Sequence, residues 1–189
     1  MCRLIIDISV ILEIKEKRDM DNQRKKFILH WGEMGAKWGI SRVVAQIHAI
    51  LFTSVQPMDA QAISEELSIA RSNVSTALKE LQTWEVVRVV HVLGDRKEHF
   101  EATKDVWEMC RTILSKRVNR ELLPTLSLLK ELEPGDTNES SHFVKQCRDL
   151  RDLLESFMTV HEMMMAVPLS VAKKLLREKR RFKTLFGKG

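Results

Sequence analysis

The chain has 189 residues, 31 of them Lys or Arg and 26 Asp or Glu, with a formal net charge of +5. That length excludes a large multidomain enzyme and admits one domain, or one domain with an extension, whose core needs no disulfide or metal to form. At 44% hydrophobic and 30% charged residues the chain is globular, and seven Gly, four Pro and no Tyr argue against a turn-rich, all-β or secreted scaffold.

In chain order, residues 1–19 read as an N-terminal extension. Their apolar run, Leu4 to Leu12, is broken by Asp7 and has no small-residue cleavage site after it, so it is read neither as a membrane span nor as a signal peptide. Met20 then opens a polar, helix-like segment, which makes the extension a candidate for a dispensable one. From Gln23, the spacing of Phe27, Trp31, Met34 and Trp38 predicts one helical stripe, the first core helix. Gly39 breaks it, and Ser41 is placed to cap a second helix whose apolar residues Val43 to Phe52 cover more than one face. Asp59 is placed to cap a short helix over 60–67. Ser68-Ile69-Ala70 leaves room only for a tight turn, and 71–84 predicts a fourth helix burying Val74, Leu78 and Leu81.

The period then drops from about 3.6 to 2, and Val86 to Val92, a Gly94-Asp95 turn and Lys97 to Ala102 predict one hairpin. Asp105 to Glu108 reads as a capping box, followed by an apolar stripe of Val106, Trp107, Cys110, Ile113, Leu114 and Val118. Pro124 is expected to kink or end that helix and Pro134-Gly135-Asp136 to break the chain. A further helix carries Phe143, Cys147, Leu150, Leu154, Phe157 and Met158, and Pro168 stops it. A last helix ends in a basic tail, Lys173 to Lys188, read as dimer packing or a solvated end. The expected fold is mainly α with a small β-hairpin: a winged helix-turn-helix over 20–104, then long dimerisation helices over 105–189.

Two short helices joined by three residues, the second polar on its outer side and followed at once by a hairpin, describe a winged helix-turn-helix. A helix entering the major groove must bury one stripe and leave the other to short polar and cationic side chains. Arg71 to Lys79 meets both demands, and Gly94-Asp95-Arg96-Lys97 puts two cations at the tip of a β-ribbon, with Arg96 the preferred minor-groove residue.

The run from Leu67 to Ala102 resembles the winged-helix core of the GbsR/MarR transcriptional regulators, and Lys104-Asp105-Val106-Trp107 fits the GbsR-type branch; the similarity reaches upstream to about Trp31. The resemblance implies that the helix of residues 71–82 reads the major groove, that the wing at 94–97 touches the flanking minor groove, and that the outer helices form a homodimer. Carried over, Ser72, Asn73, Ser75 and Thr76 face the groove, while Arg71, Lys79, Arg96 and Lys97 meet phosphates or the minor groove. Three positions depart from the pattern: Ser68 and Glu85 stand where Gly is usual, and Ala70 where a hydroxyl cap is usual.

Other features have plainer readings. His161-Glu162 lacks the second histidine of a zinc-binding HExxH motif. His91 and His99, on facing strands, are expected to meet as a surface pair and not as a metal site. Cys2, Cys110 and Cys147 form no CxxC pair, which suits the cytoplasm, and the latter two are expected to be buried and inert. The Met163 to Met165 cluster reads as core, and the four tryptophans lie on core stripes or helix ends. The expectation is a homodimeric, cytoplasmic repressor of double-stranded DNA with no catalytic activity, cofactor, metal or membrane. It leaves room for a small-molecule effector that the residues do not identify. A winged-helix module that binds a protein and not DNA is the alternative.

Overall fold

The computed structural model describes residues 8–132 and 142–177, which fall into two units divided between Lys104 and Asp105. The break expected at Pro134-Gly135-Asp136, the thiol of Cys2 and the tail beyond Arg177 lie outside the described residues.

In the first unit α1 (Ile8–Lys37) begins well before the Gln23 start suggested by its stripe. Gly39, at φ +77°, ends the helical path where the sequence puts the break. Its buried side is set by Ile28, Gly32 and Gly35, not by Trp38, which is exposed. The two glycines allow α1 to lie almost against α2 (Arg42–Thr53): a Cβ on Gly35 would sit 2.4 Å from the Cβ of Ala45. A stripe of large apolar residues therefore points to the right helix but to one edge of its contact face. Ser41 holds the cap position of α2 without a side-chain cap bond.

The central helix is α2, buried from Val44 to Leu51 with the one exception of half-buried Gln46. Ile47, Ala49, Ile50 and Leu51 are sealed together with Ile63 and Val74 from the next two helices. Its C-terminal carbonyls receive cations, as the helix dipole favours. Lys104 Nζ donates to the carbonyls of Leu51 (2.5 Å), Phe52 (3.1 Å) and Ser54 (2.6 Å). Arg24 donates to Thr53 Oγ1 at 3.0 Å and pairs with Glu66.

Within this same helix His48 stacks between Trp31 and Phe52. Its Nε2 is buried and makes no hydrogen bond. Burial, reinforced by the charge of Lys104, holds its pKa down at about 4, so the imidazole is neutral at physiological pH.

The sheet has three strands where one hairpin was expected. β1 (Met58–Asp59), β2 (Val87–His91) and β3 (Glu98–Ala102) run in the order β1-β3-β2, all antiparallel. Met58 pairs with Phe100 and Asp59 with His99, a two-residue contact too short to show as a period in the sequence. Between the strands lie α3 (Ala60–Leu67) and α4 (Arg71–Thr83).

The second unit is less sealed. In α5 (Val106–Arg117), Asp105 caps as expected, accepting from the amides of Trp107 and Glu108. Met109 is the buried residue, while Val106, Trp107 and Cys110 are exposed, so the thiol of Cys110 is not in a core. Cys147 is half-buried.

Pro124 does not end the helical path. A π-helical turn over Val118–Leu122, in which the Leu123 amide reaches back to the Val118 carbonyl, leads into α6 (Leu123–Glu131) with the proline in its first turn. The missing N–H falls where the path changes from the π turn to the α-helix. α7 (His142–Ala166) packs Leu154, Cys147 and Met158 against Leu126 and Leu129 of α6. α8 (Leu169–Arg177) follows Pro168, and the Arg111 guanidinium bonds the carbonyls of Met165 and Val167 at the turn between them. The rest of the apolar stripe predicted on α7, Phe143, Leu150 and Phe157, is exposed.

Candidate nucleic-acid interface

The turn between α3 and α4 closes on a left-handed residue. Ser68 sits at φ 53°, ψ 43°, its amide bonding the Glu65 carbonyl while the Ile69 amide bonds that of Ser64. This is the geometry in which a glycine is usual. Glu85, at φ 58°, does the same after α4, its amide bonding Gln82 O and that of Val86 bonding Leu81 O. The two places where the sequence departs from glycine are therefore the two non-glycine residues with positive φ among the described residues. At the third departure, Ala70 has cap-like backbone angles but no cap side chain. The helix nonetheless starts at Arg71, so its register is the predicted one.

α4 buries Val74, Ala77, Leu78 and Leu81 and exposes Arg71, Ser72, Asn73, Ser75, Thr76 and Lys79. At 100° per residue, Ser72, Thr76 and Lys79 stand opposite the buried stripe and Thr83 continues their line. Thr83, also exposed, was not singled out from sequence because it lies at the helix end. Asn73 lies to one side, where it and Thr76 wall an open depression shared with Ser41 and with Val43 of α2.

The hydroxyls are not equivalent. Thr76 Oγ1 donates to Ser72 O at 3.1 Å and Thr83 Oγ1 to Lys79 O at 3.0 Å, so each presents outward only a methyl group and acceptor lone pairs. The Asn73 amide carries both donors and acceptor, the combination that reads adenine in a major groove.

At the wing, Gly94 takes φ +85° and the Asp95 amide bonds Val92 O at 3.1 Å. Asp95 Oδ1 accepts from the Lys97 amide at 2.9 Å and is not placed on a guanidinium. Lys97 Nζ crosses to Asp59 Oδ2 at 2.7 Å, and this hydrogen bond raises the pKa of Lys97 while lowering that of Asp59. Arg96 is exposed and makes no hydrogen bond or ion pair among the described residues.

Arg88 pairs with Glu101 directly across the strands. His91 faces Glu98 and His99 faces Val90, so the two histidines project from opposite faces and do not meet. Neighbouring pairs on a ladder alternate sides, and one residue of register decides this. Among the described residues no group of three potential ligands could hold a metal. Of the five basic residues between Arg71 and Lys97, two are in ion pairs, and Arg71, Lys79 and Arg96 have no carboxylate partner among the described residues.

No family model matches the chain. In sequence it is 23% identical over 140 residues, 67% of its length and 78% of the relative's, to a Bacillus subtilis (strain 168) protein named as an HTH-type transcriptional regulator, YvaV. It is 26% identical over 96 residues, 51% of its length and 53% of the relative's, to the HTH-type transcriptional repressor GbsR of the same organism. The crystal structure of a transcriptional regulator shares its fold with a TM-score of 0.58 at 16% identity, covering 75% of this chain and 95% of that one.

Proposed function

We propose that this chain, a winged-helix DNA-binding transcriptional regulator of the GbsR/MarR family, works as a homodimeric repressor on a pseudo-palindromic operator. One observation carries the DNA contact: the polar stripe of α4 stands exposed on a sealed core beside a wing whose tip presents Arg96. In this reading Ser72, Asn73, Ser75 and Thr76 approach base edges, Asn73 being the one able to make a bidentate contact. Arg71 and Lys79 meet phosphates, and Arg96 enters the flanking minor groove.

The homodimer is supported by the second unit. Phe143, Leu150, Leu153, Phe157, Val160 and Met164 line one exposed side of α7, roughly a quarter turn around from the side that Leu154 buries. An apolar face of this length on a 25-residue helix marks an interface. A two-fold dimer sets two half-sites about 10 to 10.5 bp apart. No helix among the described residues is long and apolar enough to cross a membrane, and a regulator of DNA works in the cytoplasm. We expect no catalytic activity, and a small-molecule effector stays open as a partner.

Selection of bound sites from a random duplex pool tests the reading. An inverted repeat with that spacing should emerge. Arg96→Ala should weaken binding and relax the flanking preference, and Asn73→Ala should reduce discrimination within the half-site by about 1–3 kcal/mol. Recovery of no preferred site would refute it.

A further inference from the structure

We propose that Asp59 and Lys97 form a strut that positions the wing, so that Lys97 serves DNA binding through Asp59 and not by touching a phosphate. The inference rests on the DNA-binding reading above and gives Lys97, expected from the sequence to meet phosphate or the minor groove, a different role.

Asp59 is tied at three points. Its Oδ1 accepts the Ala62 amide at 2.7 Å, capping α3. Its backbone pairs with His99 on β3. Its Oδ2 takes Lys97 Nζ at 2.7 Å, with the Asp59 side chain only 14% exposed. One carboxylate thus joins the first helix of the helix-turn-helix to the far end of the wing loop.

That loop, residues 92–97, is held at its base by the Asp95 amide on Val92 O and the Lys97 amide on Asp95 Oδ1. Lys97 is fixed by both its backbone and its side chain, whereas Arg96 beside it is held by neither. For Lys97 to reach a phosphate, the mostly covered carboxylate at the head of α3 would lose its counter-ion next to the polyanion. Paired, the two charges cancel and leave Arg96 as the cation of the wing tip.

The two roles of Lys97 predict opposite signs for Asp59→Asn. Asparagine keeps the cap, so α3 should survive. If Lys97 is a strut, duplex affinity falls about 3- to 10-fold although a negative charge has been removed. If Lys97 contacts phosphate, the freed lysine tightens binding and overturns the proposal. Lys97→Met should weaken binding by a similar factor while leaving the slope of log Kobs against log salt unchanged. A loss of about two from that slope, one contact per protomer, contradicts the strut. The double variant should lose no more than either single one.

Hydrogen exchange of the free full-length protein separates this inference from the reading beneath it. Both single variants should speed exchange over residues 92–98, and unchanged exchange sinks the strut whether or not the parent binds DNA. A parent that shows no salt-dependent duplex binding refutes the functional reading, while exchange still decides the strut.

Discussion

The two units solve the burial problem differently. In the first, Ile47, Ala49, Ile50, Ile63 and Val74 have no exposed surface, and the outward residues of α4 are polar. In the second, α7 is 25 residues long yet buries Leu154 alone beyond nine-tenths, and large apolar side chains stand exposed along α5, α6 and α7. A sealed core with a polar outer face is finished as a monomer and can offer that face to a hydrophilic polymer. An apolar helix with an open side calls for a cover. In the proposed reading labour is divided: recognition sits on the unit that is complete, and association on the one that is not.

The strongest way to break that contrast is a pair of substitutions. Ile47→Ala, in the sealed core, should cost about 2–5 kcal/mol, with a change in unfolding midpoint that does not depend on protein concentration. Phe157→Glu, on the open side of α7, should leave the first unit folded. It should convert the dimer to monomer by sedimentation equilibrium and lower operator affinity at least 100-fold. A monomeric parent would remove the contrast altogether.

A second test uses His48. Its pKa lies at about 4 in the folded chain against an ordinary 6.5, so between those values the unfolded chain binds the proton and the folded one does not. Stability attributable to this residue is therefore intact above pH 6.5 and falls as the pH drops through that window, by about 3 kcal/mol in all. His48→Phe, which keeps the stack with Trp31 and Phe52, should flatten the acid limb of stability against pH by that amount relative to the parent. Equal acid limbs would mean that His48 is hydrated or paired in solution.

Smaller effects sharpen the picture of the first unit. Gly35→Ala should destabilise by about 1–3 kcal/mol although alanine is the better helix former, because its Cβ would overlap Ala45. A gain in melting temperature would show that α1 does not approach α2 this closely. Ala70→Ser supplies the missing cap and should stabilise by about 0.5–2 kcal/mol. Ser68→Gly, relieving a left-handed residue, should add roughly half to one kcal/mol.

Much of this arrangement was legible in the sequence because local rules governed it. The 60–67 helix and its Asp59 cap follow from composition, as does the start of α4 at Arg71 and the change of period at the hairpin. The outward face of α4 also follows, since helical spacing alone sets opposite sides. What could not be read depends on contacts distant in sequence. Nothing near residue 59 signals that Met58 and Asp59 will pair with Phe100 and His99, or that Lys97 will be claimed by Asp59 across 38 positions. Gly32 and Gly35 look like helix weakeners until α2 is laid against them. Cys110 looks buried on its stripe because periodicity finds an apolar side without saying what covers it, and among the described residues nothing covers that thiol.

The most direct test of the account is a salt titration of full-length protein binding to random-sequence duplex DNA. With Arg71 and Lys79 meeting phosphates and Arg96 entering the minor groove between them on each of two protomers, about six charges are placed against the polyanion. Log Kobs should then fall with log salt at a slope of about −5, roughly a 10³-fold loss between 50 and 200 mM. A flat response would show that the exposed side of α4 does not meet a polyanion and would move the molecule to the class of protein-binding winged helices.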